Sequence, residues 1–106
     1  MSICVMSYAL PSDREVLKKY AEKTKGWVDV ILSEPNNTEL RLYRSSNGKE
    51  VLAITEIQSV AEAEKFLASD KFKTLLSELE KAGCGNFQIR TWPASPLIPN
   101  AVRRTS

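Results

Sequence analysis

The chain has 106 residues, 42% of them hydrophobic and 26% charged, which suits one globular domain and leaves no room for two cores. A net charge of +2, with the densest basic spots being the pairs Lys18-Lys19 and Arg103-Arg104, argues against a nucleic-acid partner. Histidine is absent and there are two cysteines, which excludes imidazole-based catalysis, the usual metal-ligand spacings and a disulfide framework.

In chain order, the residues from Ile3 to Leu10 are mostly apolar and predict a first strand, stopped by Pro11. Ser12-Asp13-Arg14-Glu15 fits a capping box opening a helix. That helix carries Val16, Leu17, Tyr20, Ala21 and Thr24 on one stripe and is expected to stop at Gly26. Trp27 to Ser33 is rich in β-branched residues and predicts a second strand, followed by a turn over Pro35-Asn36-Asn37-Thr38. Asn36-Asn37-Thr38 also matches a glycosylation acceptor pattern, but a turn is the simpler reading. Leu40 to Arg44 and Val51 to Ile57 predict a strand pair joined through Asn47-Gly48.

Ser59-Val60-Ala61-Glu62 predicts a second capped helix with Val60, Ala63, Phe66 and Leu67 on its inner stripe. Ser69-Asp70 favours a break or a fresh helix start, after which Phe72, Leu75, Leu76 and Leu79 continue the stripe. Gly83 and Gly85 end this helix, and Phe87 to Trp92 predicts the last strand. The prolines at 93, 96 and 99 predict an extended tail, so the expected division is a domain over residues 1–93 and a tail over 94–106.

This order, β-α-β-β-β-α-β or βαββαβ with a hairpin elaboration, predicts a ferredoxin-like α+β layer: an antiparallel sheet with two helices on one face. Alternation places Val28, Val30, Leu32, Leu40, Leu42, Val51, Ala53, Phe87 and Ile89 under the helices. The opposite face would then hold Asp29, Ile31, Arg41, Tyr43, Leu52, Ile54, Glu56, Gln88, Arg90 and Trp92. That mixture of apolar groups and balanced charges suits a homodimer packed sheet against sheet, with Arg41 and Arg90 pairing with Asp29 and Glu56. No apolar run approaches the ~20 residues of a membrane span, and the N-terminus lacks the features of a signal peptide. A cytoplasmic protein with no membrane partner is expected.

The segment Phe66-Leu67-Ala68-Ser69-Asp70-Lys71-Phe72 resembles the His-x-x-Ser-x-x-Phe signature of the antibiotic biosynthesis monooxygenase (ABM) family, within the dimeric α/β-barrel superfamily. Ser69 and Phe72 fit, Phe66 stands where the histidine usually is, and Gly26 to Pro35 looks like the family's glycine-strand-acidic-proline segment. The resemblance implies a dimeric barrel and, for the cofactor-free members, oxygenation of electron-rich phenols or quinols that themselves reduce dioxygen. Haem-degrading relatives use that histidine as iron ligand and a tryptophan at the end of the preceding strand. Here those positions hold Phe66 and Ile57, so haem chemistry is not expected, and neither a metal nor another cofactor is.

A site of the cofactor-free kind needs an apolar cavity, aromatic walls and a group that polarises a phenol. Arg90, Tyr43 and Tyr8 are the candidate catalytic groups; Tyr20, Trp27, Phe66, Phe72 and Trp92 are the candidate ligand-binding residues. For every one of them packing in a core or interface competes with a functional role. The expected function is binding, or cofactor-independent monooxygenation, of a small aromatic or hydrophobic molecule between helices and sheet. The alternative is a non-catalytic ligand-binding or assembly module of the same fold. An RNA-binding sheet is disfavoured, because the central strands lack spaced aromatics.

Overall fold

The computed structural model describes residues 1–95 and Leu97. Seven elements follow one another: β1 (Ser2–Ala9), α1 (Arg14–Leu32), β2 (Asn37–Arg44), β3 (Glu50–Ile57), α2 (Val60–Ala68), α3 (Asp70–Lys81) and β4 (Gly85–Pro93). The four strands form one antiparallel sheet in the order β2-β3-β1-β4. With the helices this is the ferredoxin-like α+β layer. Of the tail expected over 94–106, only Ala94, Ser95 and Leu97 are described; the rest of that expectation lies outside the described residues.

β1 sits centrally, and its even positions Ser2, Cys4, Met6 and Tyr8 are buried beneath the helices. Val51, Ala53, Thr55 and Ile57 of β3 share that face, and Ile57 is completely buried. Phe87 and Ile89 of β4 and Leu40 of β2 pack at its margins. Of the set expected there, Leu40, Val51, Ala53, Phe87 and Ile89 lie on this face, whereas Leu42 is exposed.

The stretch from Trp27 to Ser33 is not a strand. Its residues through Leu32 are the end of a 19-residue helix that runs through Gly26 without stopping, and Ser33 is that helix's C-cap. Tyr20, Trp27 and Ile31 are buried on one side of it, spaced by seven and four residues, a helical period. The β-branched residues there favour a strand only weakly, and burial of Trp27 and Ile31 against the core outweighs that preference. As a result Asp29 and Ile31 belong to α1, not to the sheet, and so do Val28, Val30 and Leu32. The Gly26 to Pro35 resemblance to a strand-and-turn segment fails for the same reason.

The start of α1 also lies one residue later than expected. Asp13, not Ser12, is the N-cap, and its carboxylate accepts from the Glu15 and Val16 amides at 2.9 and 3.1 Å. Aspartate caps as well as serine and adds a negative charge at the positive helix end.

The break at Ser69 is present as expected. Its hydroxyl donates to the Phe66 carbonyl at 2.6 Å and accepts from the Phe72 amide at 3.3 Å, so one side chain ends α2 and starts α3. Ser59 caps α2 by accepting from the Glu62 amide at 3.2 Å, while the Glu62 carboxylate accepts from Asn36 rather than reaching back. At the end of α3 the Gly83 amide donates to the Glu80 carbonyl and the Cys84 amide to the Leu79 carbonyl. This is the Schellman arrangement, with Gly83 at φ +95°. In the β2–β3 hairpin only Gly48 takes a positive φ. Asn47 contributes through its side-chain oxygen, which accepts from the Lys49 amide and the Ser45 hydroxyl.

Candidate functional site

On α1, residues 20, 23, 27 and 30 fall at spacings of three or four, and so do residues 71, 75 and 78 on α3 with its C-cap Ala82. These two helix faces look toward each other without closing. They enclose a cleft of about 480 Å³, within the range of ordinary small-ligand sites. Its floor is made of buried side chains: Tyr20, Trp27, Leu75 and Leu79. Its lips are exposed: Lys23, Gly26 and Val30 on α1, and Asp70, Lys71, Thr74 and Glu78 on α3. Lys71 is held by Glu34 at 3.0 Å.

Two polar groups mark the floor. Tyr20 shares a hydrogen bond of 2.5 Å with Tyr8, whose ring meets it edge-on at 6.2 Å between centroids. Burial pushes the Tyr8 hydroxyl well above its ordinary range, and the bond to Tyr20 pushes it further. Tyr20 is also raised, by burial first, while the bond from Tyr8 works the other way. Both phenols are therefore neutral near pH 7. Whichever donates to the other, one phenolic proton is left for a third group. The second group is Trp27, whose buried Nε1 has no hydrogen-bond partner among the described residues. A buried N–H without a partner is uncommon in folded proteins, and it belongs here to a residue that lines the cleft.

The floor thus holds two buried polar groups and no base. The nearest groups able to take a proton are the carboxylates of Asp70 and Glu78 on the lip. No cluster of three or more metal-ligating side chains exists among the described residues. None of the helices among them is long and apolar enough to cross a membrane.

The residues singled out in the sequence are not brought together in one place. Tyr20 and Trp27 line the cleft, and Tyr8 lies beneath it in the core. Phe66 and Phe72 do not line it. They pack on each other at 5.3 Å between centroids, and both are buried. Phe66 also borders a separate recess of about 290 Å³ with Asn36, Asn37, Glu62 and Ser69. Tyr43, Arg90 and Trp92 are exposed on the sheet face away from the helices, as is Arg41, while Glu56 is half-buried there. The register sets Arg41, Ile54, Val5 and Arg90 in one row across that face. Arg41 pairs with Glu39 of its own strand, and Glu56 accepts from Thr38 at 3.0 Å. Asp29, expected to pair on this face, is on α1 instead.

Sequence reasoning missed Gly26, Val30, Thr74, Leu75 and Leu79 as cleft residues. The signal was present in α1, where the stripe Tyr20–Trp27–Ile31 continues past the glycine in helical phase.

No family model matches the sequence, and no curated protein matches it. Solved structures do match in three dimensions. A candidate antibiotic biosynthesis monooxygenase from Deinococcus radiodurans superposes with a TM-score of 0.73 over 100% of both chains, at 12% identity. A conserved protein from Methanosarcina mazei Go1 gives 0.70 at 15% identity, over 90% of this chain and 94% of its own. SnoaB, a cofactor-independent oxygenase from Streptomyces nogalater, gives 0.69 at 11% identity, over 93% of this chain and 98% of its own. At such identities the likeness is one of fold. The chain has the ferredoxin-like α+β fold of antibiotic biosynthesis monooxygenase structures.

Proposed function

We propose that the chain binds a planar aromatic molecule in the α1–α3 cleft and oxygenates it without a cofactor, as an ABM-type enzyme. The observation that carries this reading is the cleft itself: an apolar, partly aromatic floor with the unpartnered Trp27 Nε1 and a neutral tyrosine pair. A ring lying on this floor is held by apolar contact with Tyr20, Trp27, Leu75 and Leu79. An electron-rich phenolate or hydroquinone can then reduce dioxygen itself. Because the floor holds no base, the substrate must lose its proton to solvent or to a lip carboxylate. Turnover should therefore rise with pH through the substrate's own phenol pKa. A cytoplasmic location belongs to the same reading, supported by two buried, unpaired thiols.

The test is oxygen uptake with a series of naphthohydroquinones, combined with ligand identification by native mass spectrometry. Protein-dependent uptake, reduced in Trp27→Phe, is expected. Saturable binding without uptake would favour the non-catalytic binding module, and absence of both would remove the cleft as a site.

The open sheet face is the second part of the proposal: a homodimer packed face to face. Ile3, Val5 and Ile54 are half-buried there with Leu52, Tyr43 and Trp92 exposed beside them, an apolar surface that a second copy would cover. Arg41 and Arg90 at the ends of one row would meet the partner's acidic groups, Glu56 among them. A monomer in sedimentation at micromolar concentration would overturn this, and Val5→Lys should dissociate the dimer.

A further inference from the structure

Gly26 lies well inside the 19 residues of α1, where glycine is among the least favourable residues for a helix. No turn requires it, since the helix continues to Leu32. It borders the cleft between the lip residues Lys23 and Val30, on the same side of α1. A methyl group placed there would meet no atom within 4 Å. Space at this point is therefore not filled by any neighbour. It is continuous with the mouth of the cleft, while the floor below is already closed by Tyr20, Trp27, Leu75 and Leu79.

We infer that Gly26 is the residue that sets ligand size at this site: its missing side chain admits a multi-ring aromatic molecule that a bulky residue there would obstruct. The inference rests on the reading that the cleft is the ligand site. A single ring can lie on the floor against Trp27 without reaching position 26. A ligand of three fused rings covers more of the cleft than the floor beneath Trp27 and would reach the lips, where Gly26, Thr74 and Glu78 lie. A side chain at 26 would occupy that part of the path. The pattern also accounts for a helix that forgoes the stability an alanine would add at this position.

The test compares two probes on three proteins. Anthraquinone-2-sulfonate, with three rings, is titrated by tryptophan fluorescence quenching; acetophenone, with one, is titrated by chemical-shift changes. The proteins are wild type, Gly26→Ala and Gly26→Leu. Both substitutions favour the helix, so the thermal midpoints should rise by a few degrees and the variants should fold. Gly26→Leu should weaken the three-ring probe by about tenfold or more while changing the one-ring probe by less than about twofold, with Gly26→Ala between them. If Gly26→Leu leaves the three-ring probe unaffected, or weakens both probes equally, the size-setting role is wrong although the cleft still binds. If wild type binds neither probe, the cleft reading fails and this inference goes with it.

Discussion

Two seams run through the helical layer, and they are built differently. At the α2–α3 seam Phe66 and Phe72 meet ring to ring, both buried, around a single serine that caps both helices. At the α1–α3 seam the floor is equally well filled, by Tyr20, Trp27, Leu75 and Leu79, but the layer above it is not. There α1 offers a glycine where the other seam offers an aromatic ring. The opening arises from missing volume above a packed base, not from polar residues forcing two helices apart. A site of that origin is preformed and costs little core stability.

Substitutions can sharpen this contrast or break it, and the sealed seam should respond most. Phe72→Ala is expected to cost about 3–5 kcal/mol by urea denaturation, since removing a buried ring packed at a tilt against Phe66 leaves a void that cannot collapse. A loss under about 1 kcal/mol would mean that this seam is as loose as the other.

Alkaline pH probes the core beneath both seams. Burial pushes the Cys4 and Cys84 thiols up to about 11 from an ordinary 9.0. The folded chain then holds protons that the unfolded chain releases, so stability is unaffected below about pH 9 and falls between about 9 and 11. The loss from Cys4 alone should be about 2 kcal/mol, with Cys84 adding in the same direction. Chemical denaturation at pH 7, 9 and 10.5 checks it; a flat profile would show that the thiols meet more water than the packing allows.

Gly83→Ala should cost about 2 kcal/mol, because a Cβ at φ +95° would lie 2.9 Å from Val16 and 3.0 Å from Pro11. Set beside the stabilising Gly26→Ala, it separates a glycine needed for backbone shape from one that leaves room. Ser69→Ala removes the shared cap and should cost about 1 kcal/mol. Val30→Ala, on the exposed lip, should change stability by less than about 0.5 kcal/mol. Were Val30→Ala as costly as Phe72→Ala, the open seam would not be open in solution.

Where sequence and structure agree, the signals are local and mutually supporting. Ser69 followed by Asp70 interrupts a helical stripe that resumes in phase with Phe72, and only a break satisfies both. The alternation along Val51 to Ile57 is confirmed residue by residue in burial. The error over Trp27 to Ser33 has an equally definite cause. Gly26 suggests a stop and the β-branched residues a strand, yet neither outweighs a buried tryptophan and isoleucine seven and eleven residues after Tyr20. That misreading also hid the cleft, since half of its wall is the mistaken segment. Tyr20 and Trp27 could be chosen as candidates from residue type alone. That α3 would face α1 across a gap could not, because the meeting of two helices distant in sequence is a tertiary outcome.

The Ser69 hydroxyl has a consequence of scale. Unbroken, residues 60–81 would form a straight rod of about 33 Å, against about 27 Å for an eight-residue strand such as β1. Such a rod would overhang the sheet and hold its own far end away from its neighbours. Divided at Ser69, it becomes two pieces with different tasks: α2 rests on β1, β3 and β4, while α3 packs against α1 and α2. The break at Ser69 thereby turns one overlong support into a support and a separate wall, and without the wall α1 would meet β2 but have no helix across the cleft.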